Sequence, residues 1–223
     1  MTLQHVDILF QVIAFLFAIS VHESAHAWMA NRCGDPTARM LGRITLNPIK
    51  HIDLFGTILL PLIALLAHKP MLGWAKPTPV DPRNFRHPVR DDILTSVVGP
   101  ISNFMVAGGA TALLVNIKLS SPFGRDVVMG DVSAQSNSPL VPITLLVYEL
   151  MQINVVLAVF NLIPVPPLDG SHVLRHFLPA GALRAYDTVG WMGLLALVYF
   201  GGGFLDQLLS PFLRFFNYIL VSV

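Results

Sequence analysis

Between Ile93 and Ile117 the chain runs for 25 residues without one charged side chain. A helix of that length spans about 37 Å, more than the roughly 30 Å hydrocarbon core of a bilayer. Val6 to Ala30 is comparably apolar in its first half, and so is Leu140 to Leu162, with Glu149 inside it. Val189 to Leu205 is apolar and glycine-rich. Leu208 to Val223 reads as a final span or as an interfacial helix interrupted by Pro211 and Arg214. Leu54 to Ala67 has only 14 residues, which suits a re-entrant or thin-spanning piece. Composition agrees with these runs: 54% of the 223 residues are apolar and 12% charged, against about 25% charged in soluble domains. The expectation is an all-α polytopic membrane protein with about five to six membrane segments, one of them re-entrant or spanning. It forms one domain over 1–223, with a core over 6–175 and C-terminal helices over 185–223.

A formal charge of +1 gives no reason to expect nucleic acid as a partner. Cys33 is the single cysteine, so no internal disulfide and no oxidising compartment are implied. Met1 to Gln11 contain no Lys or Arg, unlike a secretory signal, and the first apolar run reads as a retained membrane helix. Nine of the 14 basic residues flank Leu54 to Ala67: Arg32, Arg39, Arg43 and Lys50 before it, Lys69, Lys76, Arg83, Arg86 and Arg90 after it. Basic loops favour the cytoplasm. If both loops are cytoplasmic, the short segment dips in and returns. The first helix then ends towards the cytoplasmic face of what reads as the plasma membrane.

That end carries "VHESAHAW", Val21 to Trp28. His22 and His26 are four residues apart, so on a helix they share a face one turn apart. Two imidazoles so placed can both reach one Zn²⁺ at about 2.0–2.1 Å. Glu23, beside the first His, puts a carboxylate next to the metal, where it can take a proton from water and later pass it to a leaving amine. Chance could produce so short a motif, but its location argues otherwise. A charged group at mid-membrane costs roughly 2.5 kcal/mol or more, so three ionisable side chains there call for a partner such as a metal.

Two His leave a catalytic zinc one protein ligand short. "FNLIPVPPLDG", Phe160 to Gly170, is the candidate source. Pro164, Pro166 and Pro167 remove amide donors and stop helix formation. Irregular backbone at membrane depth survives only where it is buried in protein or lines a watery cavity. Asp169 ends this stretch, with Gly170 after it to permit a turn. An Asp on an extended strand facing the two His would complete the site. Taken alone, Asp169 reads more simply as a cap on a helix beginning near Ser171.

HESAH late in an apolar helix, with N-x-x-P-x-P-P-L-D-G beginning at Asn161, resembles the site-2 protease family of intramembrane zinc metalloproteases. "LGRITLNPIKHIDLFGT" (Leu41 to Thr57) and "GPISN" (Gly99 to Asn103) are also similar to family segments, so the likeness runs from roughly Phe10 to Leu174. It implies one Zn²⁺ held by His22, His26 and Asp169, with Glu23 as catalytic acid and base. It implies that Asn161 bonds the substrate or the developing oxyanion, a donor worth about 2.7–4 kcal/mol when preorganised. The implied activity is hydrolysis of peptide bonds in or near transmembrane segments, with membrane proteins as substrates and lipid as surroundings. No PDZ-like insertion separates the motifs, so this is a minimal form.

Two other readings stand beside that one. In a metal transporter or metal-binding membrane protein, His and Asp would line an ion path, although the ligand types cluster in only two motifs. A protease-like scaffold that binds partners without cutting would not need Glu23. Among the remaining polar residues, His172 and His176 are a second i, i+4 pair, but no Glu follows the first and Arg175 sits beside the second, so they read as solvated or interfacial. His51 and Asp53 read as loop hydrogen-bonders, and Asn103 as a bond between helices. Glu149 is either functional or protonated at a helix interface. Cys33 is too near His26 to serve easily as the third ligand. "KPTPVDPRNFRHPVRDD" reads as a surface loop, and "ARMLGRITLN" as a short strand over about Met40 to Leu46, able to hold an unwound substrate by strand addition.

Overall fold

The computed structural model describes residues 3–59, 63, 73–130 and 138–223. The described residues form helices α1 (Leu3–Cys33), α2 (Thr37–Met40), α3 (Pro88–Ser120), α4 (Pro122–Met129), α5 (Leu140–Asn161), α6 (Asp169–Arg175), α7 (Ala180–Phe200) and α8 (Gly202–Ser222), and no strand. A backbone in lipid must satisfy its own hydrogen bonds, and a helix does so. Three stretches are long and apolar enough to cross a membrane: Asp7–Cys33, Pro88–Ser120 and Leu140–Asn161. Met192–Phe200 and Gly202–Ser222 pass the same test only as a pair, and that pair is bent by 80°. The described helices therefore supply three spans, or four if the pair counts as one. This is fewer than the five to six expected: the two C-terminal runs join at a sharp bend, and half of Leu54 to Ala67 lies outside the described residues.

The helix α1 buries a row spaced by four: Ala14, Ala18, His22, His26 and Ala30, all 8% exposed or less. Small residues in such a row let a helix pack closely in lipid. The two imidazoles continue that row. Leu9, Val12, Ile13 and Phe17 lie on exposed faces, as lipid-facing residues should.

By its internal contacts the chain divides into two compact units. The first comprises Met1–Ala18 and Pro100–Val223. Its core is a ladder of Ala107, Ala110 and Leu114 on α3, Val147, Met151, Val155 and Val159 on α5, and Phe216 and Leu220 on α8. The i, i+4 spacing on α5 comes from the helical period. Asn103 behaves as expected, its amide donating to Asn154 Oδ1 (2.7 Å) and to Ala18 O (3.3 Å) and so joining three helices. Lys118, buried, donates through Nζ to the carbonyls of Leu220 (2.5 Å) and Val221 (3.3 Å) at the end of α8, where a cation meets the negative helix terminus.

The second unit, Ile19–Gly99, is built differently. Around the end of α1 it has little regular structure, and side chains tie the backbone together. Arg43, 5% exposed, donates to Lys50 O, Lys76 O (2.5 Å) and Pro77 O (2.8 Å). Asp35, fully buried, accepts from the Thr37 amide and hydroxyl, the Asp81 amide and the Asn84 side chain. Burial works against its charge, yet those donors together hold its carboxyl below the usual range. His51 and Asp53 serve loop bonds, as expected: His51 Nε2 meets Thr45 O at 2.8 Å, and Asp53 Oδ1 accepts the Phe55 and Gly56 amides.

Half of Leu54 to Ala67 lies outside the described residues, but the chain before it and from residue 73 onward does not. The Trp74 amide donates to Gly56 O, the Thr57 hydroxyl to Trp74 O, and the Lys76 amide to His51 O. Hydrogen bonds thus join the chain just before the undescribed residues to the chain just after them. The strand expected over Met40 to Leu46 does not form. Gly42 adopts a left-handed conformation (φ 65°) and turns the chain after α2, which leaves Met40 and Leu41 exposed. The strand-addition role assigned to it falls with it.

Candidate metal centre

His22 and His26 are 7% and 8% exposed, one turn apart on α1. Their rings meet edge to face with centroids 4.6 Å apart. Their Nε2 atoms are 3.0 Å apart. Two imidazole lone pairs aimed at each other repel unless a proton or a cation lies between them. A tetrahedral ion at about 2.0–2.1 Å from each nitrogen would hold them about 3.3 Å apart, so the pair is close to bidentate spacing. His26 Nδ1 lies 2.6 Å from Thr95 O, a bond in which the ring donates and Nε2 remains the basic nitrogen.

Gly99 makes room for the rings. A Cβ on it would sit 2.4 Å from His26 Nε2, 2.6 Å from His26 Cε1 and 2.7 Å from His22 Cε1. No side chain fits there, so α3 presses bare backbone against the imidazoles. The donor set and this cradle suit a divalent ion.

Glu23, half-buried, is anchored on the segment that the sequence presented as a surface loop. Thr78 donates to Glu23 Oε2 through its amide (2.8 Å) and its hydroxyl (2.7 Å), and the hydroxyl also lies 3.0 Å from Glu23 O. Glu23 Oε1 takes no hydrogen bond among the described residues. Ser24, the next residue, exchanges bonds with Thr45, donating to its carbonyl and accepting its amide (3.2 Å). Burial lowers the pKa of Arg43, while the charge of Glu23 raises it again, so a buried cation faces the motif from the loop side. Sequence reasoning missed Thr78, Arg43 and Gly99. One signal was available: in Pro77-Thr78-Pro79 only Thr78 has an amide to donate.

Asn161 and Asp169 lie in the other unit. Asn161 is the last residue of α5, and its amide donates back to Leu157 O at 2.9 Å. The prolines stop α5 as expected, and the Tyr186 hydroxyl holds the broken stretch through Pro164 O (3.0 Å). Asp169 does not sit on an extended strand. Leu168, just before it, is extended (ψ 156°), and Asp169 opens α6. Gly170 explains the tightness of the turn, since a Cβ there would lie 2.2 Å from Leu162 O. His172 and His176 belong to no cluster of three ligand-type residues among those described, nor do His51, Asp53 and Cys33. Glu149 shares a hydrogen bond with Gln11 of α1.

Comparison with known proteins agrees with this geometry. The model of peptidase family M50 matches residues 10–199. A curated protein of Bacillus subtilis (strain 168), named "Putative zinc metalloprotease YwhC", is 37% identical over 189 residues, covering 83% of this chain and 78% of its own. No solved structure matches the chain. Between a metalloprotease and an ion conduit or passive scaffold, these likenesses support the metalloprotease. With the family model covering most of its length, the chain belongs to peptidase family M50, the zinc metalloprotease family of the site-2 proteases, and is a membrane protein by its helices.

Proposed function

We propose that this protein is a zinc-dependent endopeptidase that cuts peptide bonds in or beside the transmembrane segments of membrane proteins. The observation that carries the proposal is the position of Glu23 and the imidazole pair in the last half of a helix long enough to cross a membrane. Soluble substrates would not need a site there.

His22, His26 and Asp169 are the residues that would hold one Zn²⁺. An ion bound there would supply Lewis acidity and make an attacking water easier to deprotonate. Glu23 takes a proton from the attacking water at Oε1 and returns it to the departing amine. Asn161, at the end of α5, orients the substrate carbonyl or its oxyanion once its amide leaves the Leu157 carbonyl. A helical substrate hides its carbonyls in its own hydrogen bonds, so it has to unwind locally before it can be cut. The basic loops on either side of Leu54 to Ala67 support a site towards the cytoplasmic face of the plasma membrane.

The test compares purified wild type with Glu23→Gln on a panel of single-span peptides in detergent, with metal analysis of His22→Ala and Asp169→Ala. Cleavage by the wild type, loss of at least a hundredfold in Glu23→Gln, and loss of zinc in both alanine variants are expected. Equal cleavage by wild type and Glu23→Gln would remove Glu23 from the chemistry. A full zinc complement in Asp169→Ala would remove the third ligand.

A further inference from the structure

An acid-base carboxylate next to a metal needs one oxygen aimed at the water and something to hold the other. In this chain Glu23 Oε2 receives both donors of one residue, the Thr78 amide and hydroxyl, at 2.8 and 2.7 Å. The hydroxyl oxygen also lies 3.0 Å from the main-chain carbonyl of Glu23, but it has one proton to give, and the shorter contact is to Oε2. Oε1 is left without a bond to any described residue.

The strap bearing Thr78 is stiff. Pro77 and Pro79 each fix one backbone angle, and each also confines the residue before it to extended conformations, Thr78 among them. The strap is clamped as well. The carbonyls of Lys76 and Pro77, immediately before Thr78, both bond to the Arg43 guanidinium, which also grips Lys50 O. A buried cation therefore sets the position of the strap, and the strap sets the carboxylate.

We propose that Thr78 is the positioning residue for Glu23: it occupies Oε2 with two donors and so selects Oε1 as the oxygen that receives and returns the proton. The proposal rests on the reading of Glu23 as catalytic acid and base. Arg43 acts one step further back, by holding the strap.

The test uses the full chain, zinc-loaded in detergent, with a single-span peptide that the wild type cuts. Thr78→Val keeps the volume and the amide but loses the hydroxyl, and Thr78→Ser restores it. Misplacing a catalytic group by an ångström can cost about a hundredfold, so kcat is expected to fall about ten- to a hundredfold in Thr78→Val. KM should stay within about threefold, and zinc content and the unfolding midpoint should not change. Thr78→Ser should return kcat to within about threefold of wild type. In a Glu23→Gln background, Thr78→Val should slow the residual reaction no further, because residues acting through one another are not additive. Wild-type kcat in Thr78→Val, a Ser variant as slow as the Val variant, or a further full loss in the Glu23→Gln background would each overturn the proposal. So would loss of fold in both Thr78→Val and Thr78→Ala, which would make the contact structural. Wild-type activity in Glu23→Gln alone would instead bring down the underlying reading, and the positioning role with it.

Discussion

The two compact units of this chain are held together by different means. The first is a set of helices whose backbones satisfy themselves, so its packing rests on an apolar ladder such as Val147, Met151, Val155 and Val159. The second has few helical turns beyond the end of α1 and the start of α3, and its loops depend on individual polar side chains: Arg43 for three carbonyls, Asp35 for four donors, Thr78 for Glu23. A missing methyl in a ladder leaves a small void that neighbours partly fill. A missing buried donor such as Arg43 leaves the loop carbonyls it held without that partner. The difference implies that single polar changes in the second unit do more damage than single apolar changes in the first.

Arg43→Met is the strongest trial of that contrast. It keeps most of the side-chain volume but leaves the Lys50, Lys76 and Pro77 carbonyls without their donor. At about 1 kcal/mol or more for each unsatisfied group, about 3 kcal/mol of stability should go. Val155→Ala, fully buried on α5, removes two methyl groups and should cost about 1.6–2 kcal/mol. Unfolding midpoints in detergent, together with protease nicking between Lys50 and Lys76, compare the two variants. An Arg43→Met protein as stable as Val155→Ala would break the contrast.

Two glycines of α3 sharpen it at the level of the site. Gly99 faces the imidazoles with no room for a Cβ, whereas Gly108 has nothing within 4 Å of one. Gly99→Ala should push the rings apart and weaken zinc binding at least tenfold, as read by metal content after dialysis against a chelator. Gly108→Ala removes backbone freedom from a helix interior and should be neutral or stabilising by about 0.5–1 kcal/mol. Equal zinc retention by both variants would mean that the ring pair is not held by α3.

The parts of this protein that a reader of the sequence could see are those with a period. The spacing of His22, Glu23 and His26, the apolar runs that became α1, α3 and α5, and the cross-helix role of Asn103 all follow from the geometry of one helix in lipid. What lacks a period was misread. Alternation in "ARMLGRITLN" suggested a strand, but a left-handed Gly42 ends that pattern in a turn. Val189 to Leu205 and Leu208 to Val223 read as separate segments, because hydropathy does not register an 80° bend. Asp169 was picked out by the prolines before it, but its place at the start of α6 depends on how Gly170 seats against the Leu162 carbonyl. Thr78 was hidden entirely. It reaches Glu23 across 55 positions of sequence, through a strap whose course is set by a buried arginine rather than by any local preference.

Asp35 offers a pH test of the second unit. Burial opposes its charge, but the bonds from Thr37, Asp81 and Asn84 outweigh that and lower its pKa. A depressed folded-state pKa stabilises the fold above the unfolded value, about 3.9, and the contribution disappears as pH falls through the folded value. Wild type should therefore lose stability as the pH drops below about 4, and Asp35→Asn should lack that part of the acid dependence while being less stable at pH 7. The Asn side chain can still accept at one oxygen, but its amide would face the Asp81 N–H, donor against donor. Identical acid profiles for the two proteins would show that Asp35 is not charged in the fold.

The smallest effect belongs to the first unit and tests the contrast from the other side. Asn103 and Asn154 are fully buried and bonded to each other at 2.7 Å, which in a soluble core would make their loss expensive. Between membrane helices, such bonds average about 0.6 kcal/mol in double-mutant cycles, because the separated helices also find partners for their polar groups. Asn154 already has one, donating back to Leu150 O on its own helix (2.7 Å). The Asn103→Ala, Asn154→Ala cycle should therefore give a coupling of about 0.6 kcal/mol, several times below the cost of Arg43→Met. The reason lies in the backbone: helices that have lost an amide bridge remain fully hydrogen-bonded along their lengths, whereas a loop that has lost its arginine does not. A coupling of about 3 kcal/mol would show that polar side chains dominate both units alike.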